Sequence, residues 1–143
     1  MNTNQQFAVS VHILTLLSVL FDQLLTSQKI AESVNTNPVV IRRVMGQLRK
    51  RGLVESRPGV SGGWKLSCAP GEIQLCSVYE ALSQDPLLGM HPHPNADCPV
   101  GAHIQPALEK VFVQAEKAMH AALSGFTVAD VLSEIRGQTS GDV

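Results

Sequence analysis

Residues 41–67 read IRRVMGQLRKRGLVESRPGVSGGWKLS, and the order of features in this stretch predicts the architecture. Val40, Ile41, Val44, Met45 and Leu48 read as the buried face of a helix, while Arg42, Arg43, Arg49, Lys50 and Arg51 supply its polar side. Gly52 stands where a helix favours a left-handed residue just past its end. Leu53–Ser56 and Trp64–Ser67 are short strand candidates. Between them, Pro58-Gly59-Val60-Ser61-Gly62-Gly63 is too glycine-rich for a helix and reads as a hairpin tip. A basic helix followed at once by a basic hairpin is how a winged helix-turn-helix is laid out.

Upstream, Asn35-Thr36-Asn37-Pro38 is a turn that offers Asn37 as N-cap and Pro38 at the first helical position. Thr26 or Ser27 caps a shorter helix holding Ile30, Ala31 and Val34. Before it, Phe7, Val11, Leu14, Leu17 and Phe21 repeat at helical spacing from Asn4 to about Leu20. Ser10, His12, Thr15 and Ser18 interrupt that run, which is also shorter than the ~20 residues a bilayer requires, so it reads as a core helix. No basic segment with a small-residue cleavage site precedes it, and Cys68, Cys76 and Cys98 form no CxxC pair. The expectation is a cytoplasmic chain with reduced thiols and no membrane partner.

Downstream, Ile73–Leu82 is a short helix candidate, and residues 83–102, with Pro86, Gly89, Pro92 and Pro94, read as a long loop. Ile104, Leu108, Val111, Ala115, Ala118 and Ala122 then recur at steps of four and three, an a/d seam that asks for a partner helix. Pro106 is expected near the start of this helix. Gly125 ends it, and Thr127-Val-Ala-Asp130 resembles a capping box opening a last helix through Ile135. The expected divisions are a DNA-binding domain at 1–82, a sensor-like loop at 83–102, dimerisation and C-terminal helices at 103–136, and a flexible tail at 137–143.

The net charge of −1 conceals a division. Residues 1–70 hold eight Lys/Arg against three Asp/Glu (+5), and residues 71–143 hold three against nine (−6). Only the first half suits a polyanion. Its recognition helix presents Asn37, Val39, Val40, Arg42 and Arg43 from its N-terminal turns, where arginine can pair with guanine and valine can touch a thymine methyl. Arg49, Lys50 and Arg51 are placed for phosphates, and the wing contributes Arg57, Ser61, Gly62, Gly63 and Lys65. Trp64 is read as packing the wing onto the body. Taken singly, a charged run is a solvated face and Gly-Gly a turn. In this order they point to duplex DNA.

The sequence LRKRGLV followed by ESRPGVSGGWKL, a helix with VYEAL, and Cys98-Pro-Val-Gly before a long helix resembles the Rrf2 family over almost the whole chain. These bacterial winged-helix repressors include an iron–sulfur cluster regulator, a nitric-oxide-sensing repressor and a cysteine-metabolism repressor. The resemblance implies a mainly α fold with a small β-hairpin, a homodimer paired through the long helix, and repression from a near-palindromic operator. The chain departs from the family in its amide-rich N-terminus (Asn2, Asn4, Gln5, Gln6) and in Pro58, where other members place a wing cation.

Cluster-binding members carry three cysteines about six residues apart in the loop. Here only Cys98 matches, with Pro92 and Pro86 at the upstream positions, so no iron–sulfur cluster or other cofactor is expected. Cys98 before the long helix can be a reactive thiol that senses oxidants or electrophiles. Alternatively, His91, His93, Cys98 and His103 can supply ligands for zinc or copper, or a small molecule can bind between the loop and the long helix. Cys76 reads as core. No paired nucleophile and base and no phosphate-binding glycine loop point to an enzyme. A helical interaction module that never touches DNA explains the seam but not the charge division.

Overall fold

The computed structural model describes residues 3–82 and 85–139. Helices α1 (Thr3–Val19), α2 (Ser27–Val34) and α3 (Pro38–Lys50) are followed by strands β1 (Val54–Arg57) and β2 (Gly63–Leu66). Then come α4 (Leu75–Leu82), α5 (Pro99–Ser124) and α6 (Val128–Gln138). Ile13, Leu14 and Leu17 of α1 meet Ile30 of α2, Ile41, Val44, Met45 and Leu48 of α3, Val78 of α4 and Val128 of α6 in one buried cluster. Of the polar residues that interrupt α1, His12 is exposed and the other three are buried. Ser10, Thr15 and Ser18 donate to the carbonyls of Gln6, Val11 and Leu14 at 2.8, 2.7 and 2.7 Å, so each hydroxyl is satisfied within its own helix. Among the described residues no helix is long and apolar enough to cross a membrane.

Several boundaries differ from the expected ones for local reasons. Strand β1 begins at Val54, because the Leu53 amide reaches back to the Leu48 carbonyl (3.1 Å) and the Gly52 amide to Arg49 (2.9 Å). That pair of bonds is a Schellman closure, with Gly52 at φ 78° as the left-handed residue. Helix α4 begins at Leu75 rather than Ile73. A 3₁₀ turn at Pro70–Glu72 comes first, and residues 73–74 run extended against the Phe126–Val128 segment (Leu75 N to Phe126 O, 2.9 Å; Val128 N to Ile73 O, 2.9 Å).

Helix α5 begins at Pro99, with Cys98 as its N-cap, so the loop is shorter than expected. Pro106 therefore lies in the helix interior, not in its first turn. Its ring deprives the Ala102 carbonyl of a helical donor. At the far end, Gly137 and Gln138 belong to α6, so the helix extends into the expected tail, whose last four residues lie outside the described residues. Ser83 and Gln84 of the loop lie outside them as well.

No residue of the 26-residue α5 is buried. Within the chain its main contact is α4. Val113, Glu116 and His120 face α4, about 160° round the helix from the seam of Ala115, Ala118 and Ala122. Along that seam Val111 is 60% exposed, Ala118 and Ala122 are exposed, and Ile104, Leu108 and Ala115 are half-buried.

Candidate nucleic-acid interface

The recognition helix is fixed from both ends. The Asn37 side chain accepts the Val40 amide at 3.1 Å, Pro38 occupies the first turn, and the Schellman closure ends the helix at the far side. With its apolar face in the core, α3 can turn only one way. Arg42, Arg43, Arg49 and Lys50 point outward with Val39, which is 68% exposed, while Val40 is half-buried.

The wing is an antiparallel pair in the register Val54–Leu66, Glu55–Lys65, Ser56–Trp64 and Arg57–Gly63. It is clipped to the α1–α2 connection by two backbone bonds, Leu25 N to Trp64 O (3.0 Å) and Trp64 N to Leu25 O (2.8 Å). Trp64 carries the expected packing role. Its indole Nε1 donates to Ser27 Oγ at 3.1 Å, and the Arg49 guanidinium lies 5.7 Å from the ring centre, within cation–π reach.

The clip depends on close approach. A Cβ on Gly63 would stand 2.7 Å from the Leu25 carbonyl oxygen, and one on Gly62 would stand 2.0 Å from that of Arg57. A hollow of about 340 Å³ opens between the wing and the helix pair, where Arg42, Arg57, Thr26 and Ser27 come together. Ser61 is exposed at the tip.

The cations fall into two groups. Arg42, Arg43, Lys50 and Arg57 form no ion pair with any described residue. Arg51 pairs with Glu80 of α4, and Lys65 pairs with Glu55 across the wing at 3.1 Å. Glu80 also accepts from His120 of α5 at 2.5 Å, so one carboxylate joins the end of the recognition helix to the long helix. Leu25, Glu80 and His120 were absent from the residues singled out by sequence, and Ser27 was read only as a helix cap. Their partners lie 29 to 40 positions away, and no periodicity reports such pairs.

In the loop half, Cys98 is fully exposed at the head of α5. Backbone amides of Gly101, and secondarily Val100, hold its thiol below the ordinary cysteine range. Cys68, after β2, has its thiol pushed up by burial and by Glu72, and Cys76 of α4 is buried as expected. The three cysteines thus lie in three separate parts of the chain: after β2, within α4 and at the head of α5.

The structure does not bring His91, His93, Cys98 and His103 together as a ligand set. Among the described residues no three His, Cys, Asp or Glu side chains gather to hold a metal. His103 Nδ1 is instead engaged with the Pro99 carbonyl at 2.9 Å, and the His91 carbonyl accepts from Gln105. This donor set does not fit a cluster held in the manner of three loop cysteines.

Unpaired cations gathered on the outward face of α3 and on the wing beside it place the chain among winged helix-turn-helix regulators. A family profile described as "Rrf2: Iron-dependent Transcriptional regulator" matches residues 3–134. YwnA of Bacillus subtilis (strain 168), provisionally designated an HTH-type transcriptional regulator, is 41% identical over 133 residues, covering 92% of this chain and 98% of YwnA. A solved structure provisionally described as a DNA-binding protein is 39% identical with a TM-score of 0.72, covering 89% of this chain and 98% of that one. A regulator structure from Lactobacillus plantarum, also provisionally described, superposes with a TM-score of 0.80 at 27% identity, covering 92% and 89%. The chain belongs to the Rrf2 family of transcriptional regulators, which bind DNA and are not enzymes.

Proposed function

We propose that this regulator is a cytoplasmic homodimer that represses from a near-palindromic operator and releases DNA when the Cys98 thiol is modified. The observation that carries the dimer is α5, a 26-residue helix with an a/d seam and no buried residue. Its small residues Ala115, Ala118 and Ala122 allow two such helices to approach closely. Two recognition helices paired this way read half-sites about 34 Å apart, one turn of duplex. Light scattering on the eluting protein tests the assembly. Dimer mass is expected for the natural chain and monomer mass, with lost operator affinity, for Leu108→Glu combined with Val111→Glu. A monomer that binds its operator fully refutes the dimer.

Cys98 supports the sensing step through its exposure and the amides that favour its thiolate. The thiolate sulfur attacks one peroxide oxygen, the O–O bond breaks, hydroxide leaves, and a sulfenic acid caps α5 in place of the thiol. No cluster or metal enters this reading. Cys98→Ser is expected to bind DNA normally and to ignore peroxide; a full response in that variant removes Cys98 from the mechanism. A second reading, ligand control, is favoured by a cavity of about 630 Å³ where Asp85 and Pro86 of the loop meet Tyr79, Val113, Met119 and His120.

A further inference from the structure

Gly46 lies in the interior of α3, where a glycine costs helix stability relative to alanine. The usual reasons for keeping one are absent. Its backbone is not among those with positive φ, and a Cβ built on it meets nothing within 4 Å. Neither backbone conformation nor crowding by a neighbouring element accounts for it. Its position is informative: at about 100° per residue, Gly46 is the centre line of the outward face. Val39, Arg42 and Lys50 lie within about 40° of it, and Arg43 and Arg49 within about 60° on either side. The missing side chain sits in the middle of the face that carries the cations.

We infer that Gly46 is a positioning residue for DNA, a notch that lets the α3 backbone seat against the duplex so that Arg42 and Arg43 reach base edges. This rests on the DNA-binding reading of α3. A methyl at this point stands between helix and groove and holds both arginines back from their acceptors, without altering any charge or any contact within the protein.

The test is Gly46→Ala, with Gly46→Leu as the graded variant, against the best duplex recovered from a random pool by selection with the natural chain. The expected result has three parts. The alanine variant melts about 3 °C higher, as a helix gaining alanine for glycine should. Its affinity falls roughly tenfold or more, the scale of one impaired bidentate base contact, and the leucine variant falls further. The dependence of affinity on salt keeps its slope, because no phosphate contact has been removed. Equal or tighter binding by Gly46→Ala overturns the inference. So does a change in oligomeric mass, which would put another copy of the chain at this face. If the natural chain selects no duplex, the DNA reading itself fails and the role of Gly46 goes with it.

Discussion

Replacing Gly63 by alanine tests how the wing is held. The added methyl carbon would stand 2.7 Å from the Leu25 carbonyl oxygen and 2.8 Å from its carbon, both backbone atoms that cannot swing aside. The Gly63 backbone also sits at φ 153°, where a side chain is strained. The wing must therefore part from the α1–α2 connection, breaking the two bonds between Leu25 and Trp64. At about 0.5–1.5 kcal/mol net for each bond, with about 1–3 for the strained backbone, the loss centres near 4 kcal/mol. A chain of 143 residues loses roughly 3 °C of melting temperature per kcal/mol, so Gly63→Ala should melt about 12 °C lower. Gly59→Ala is the control. That residue shares a positive φ (101°) but faces open space, so strain alone costs it about 1–2 kcal/mol, or about 3–6 °C. Thermal unfolding followed by far-ultraviolet circular dichroism reads both. If Gly63→Ala melts within about 2 °C of the natural chain, or no lower than Gly59→Ala, the clip between wing and body is not as described.

Three further outcomes follow from the same geometry. Lys50→Ala and Arg57→Ala should each flatten the salt dependence of duplex binding by about 0.9 in log–log slope, whereas Arg51→Ala, whose guanidinium is held by Glu80, should leave it unchanged; an equal flattening by all three would show Arg51 on phosphate. Iodoacetamide should alkylate Cys98 first, because a lowered pKa keeps it thiolate at pH values where Cys68, pushed the other way, is still protonated. Its rate should fall only as pH drops through that lowered value, and mass mapping that finds Cys68 or buried Cys76 modified first would contradict the assignment. Pro106→Ala should stabilise α5 by about 2 kcal/mol, the interior-proline penalty of about 3 less about 1 for the freer unfolded chain, and slow amide exchange between residues 99 and 106. Unchanged exchange would show that the proline does not weaken the helix.

What could be read in advance was what is written locally. Asn37 and Pro38 declare the start of α3, Gly52 its end, and Thr127 with Asp130 the start of α6, because caps act within four residues of themselves. The glycines at 62 and 63 announced a wing, though not that they make room for the backbone of Arg57 and Leu25. What could not be read was set at long range. Lys65 and Arg51 look like their neighbours in the charged run, and only Glu55 across the hairpin and Glu80 on another helix set them apart. The start of α5 was misplaced for a related reason. Pro106 argues against a helix interior, yet the turns on either side outweigh one missing hydrogen bond. The long apolar seam was visible in the sequence, but that no residue of its helix is fully buried within its own chain was not.

Trp64 is the only tryptophan in the sequence, and it sits on the wing with its ring beneath Arg49 and its nitrogen on Ser27. The molecule therefore carries one indole emitter, placed at the joint between α3 and the wing. Any movement of Arg49 toward a phosphate uncovers the indole, and any lifting of the wing breaks its bond to Ser27. Docking and release can thus be followed in the unmodified protein from the colour and intensity of its own light.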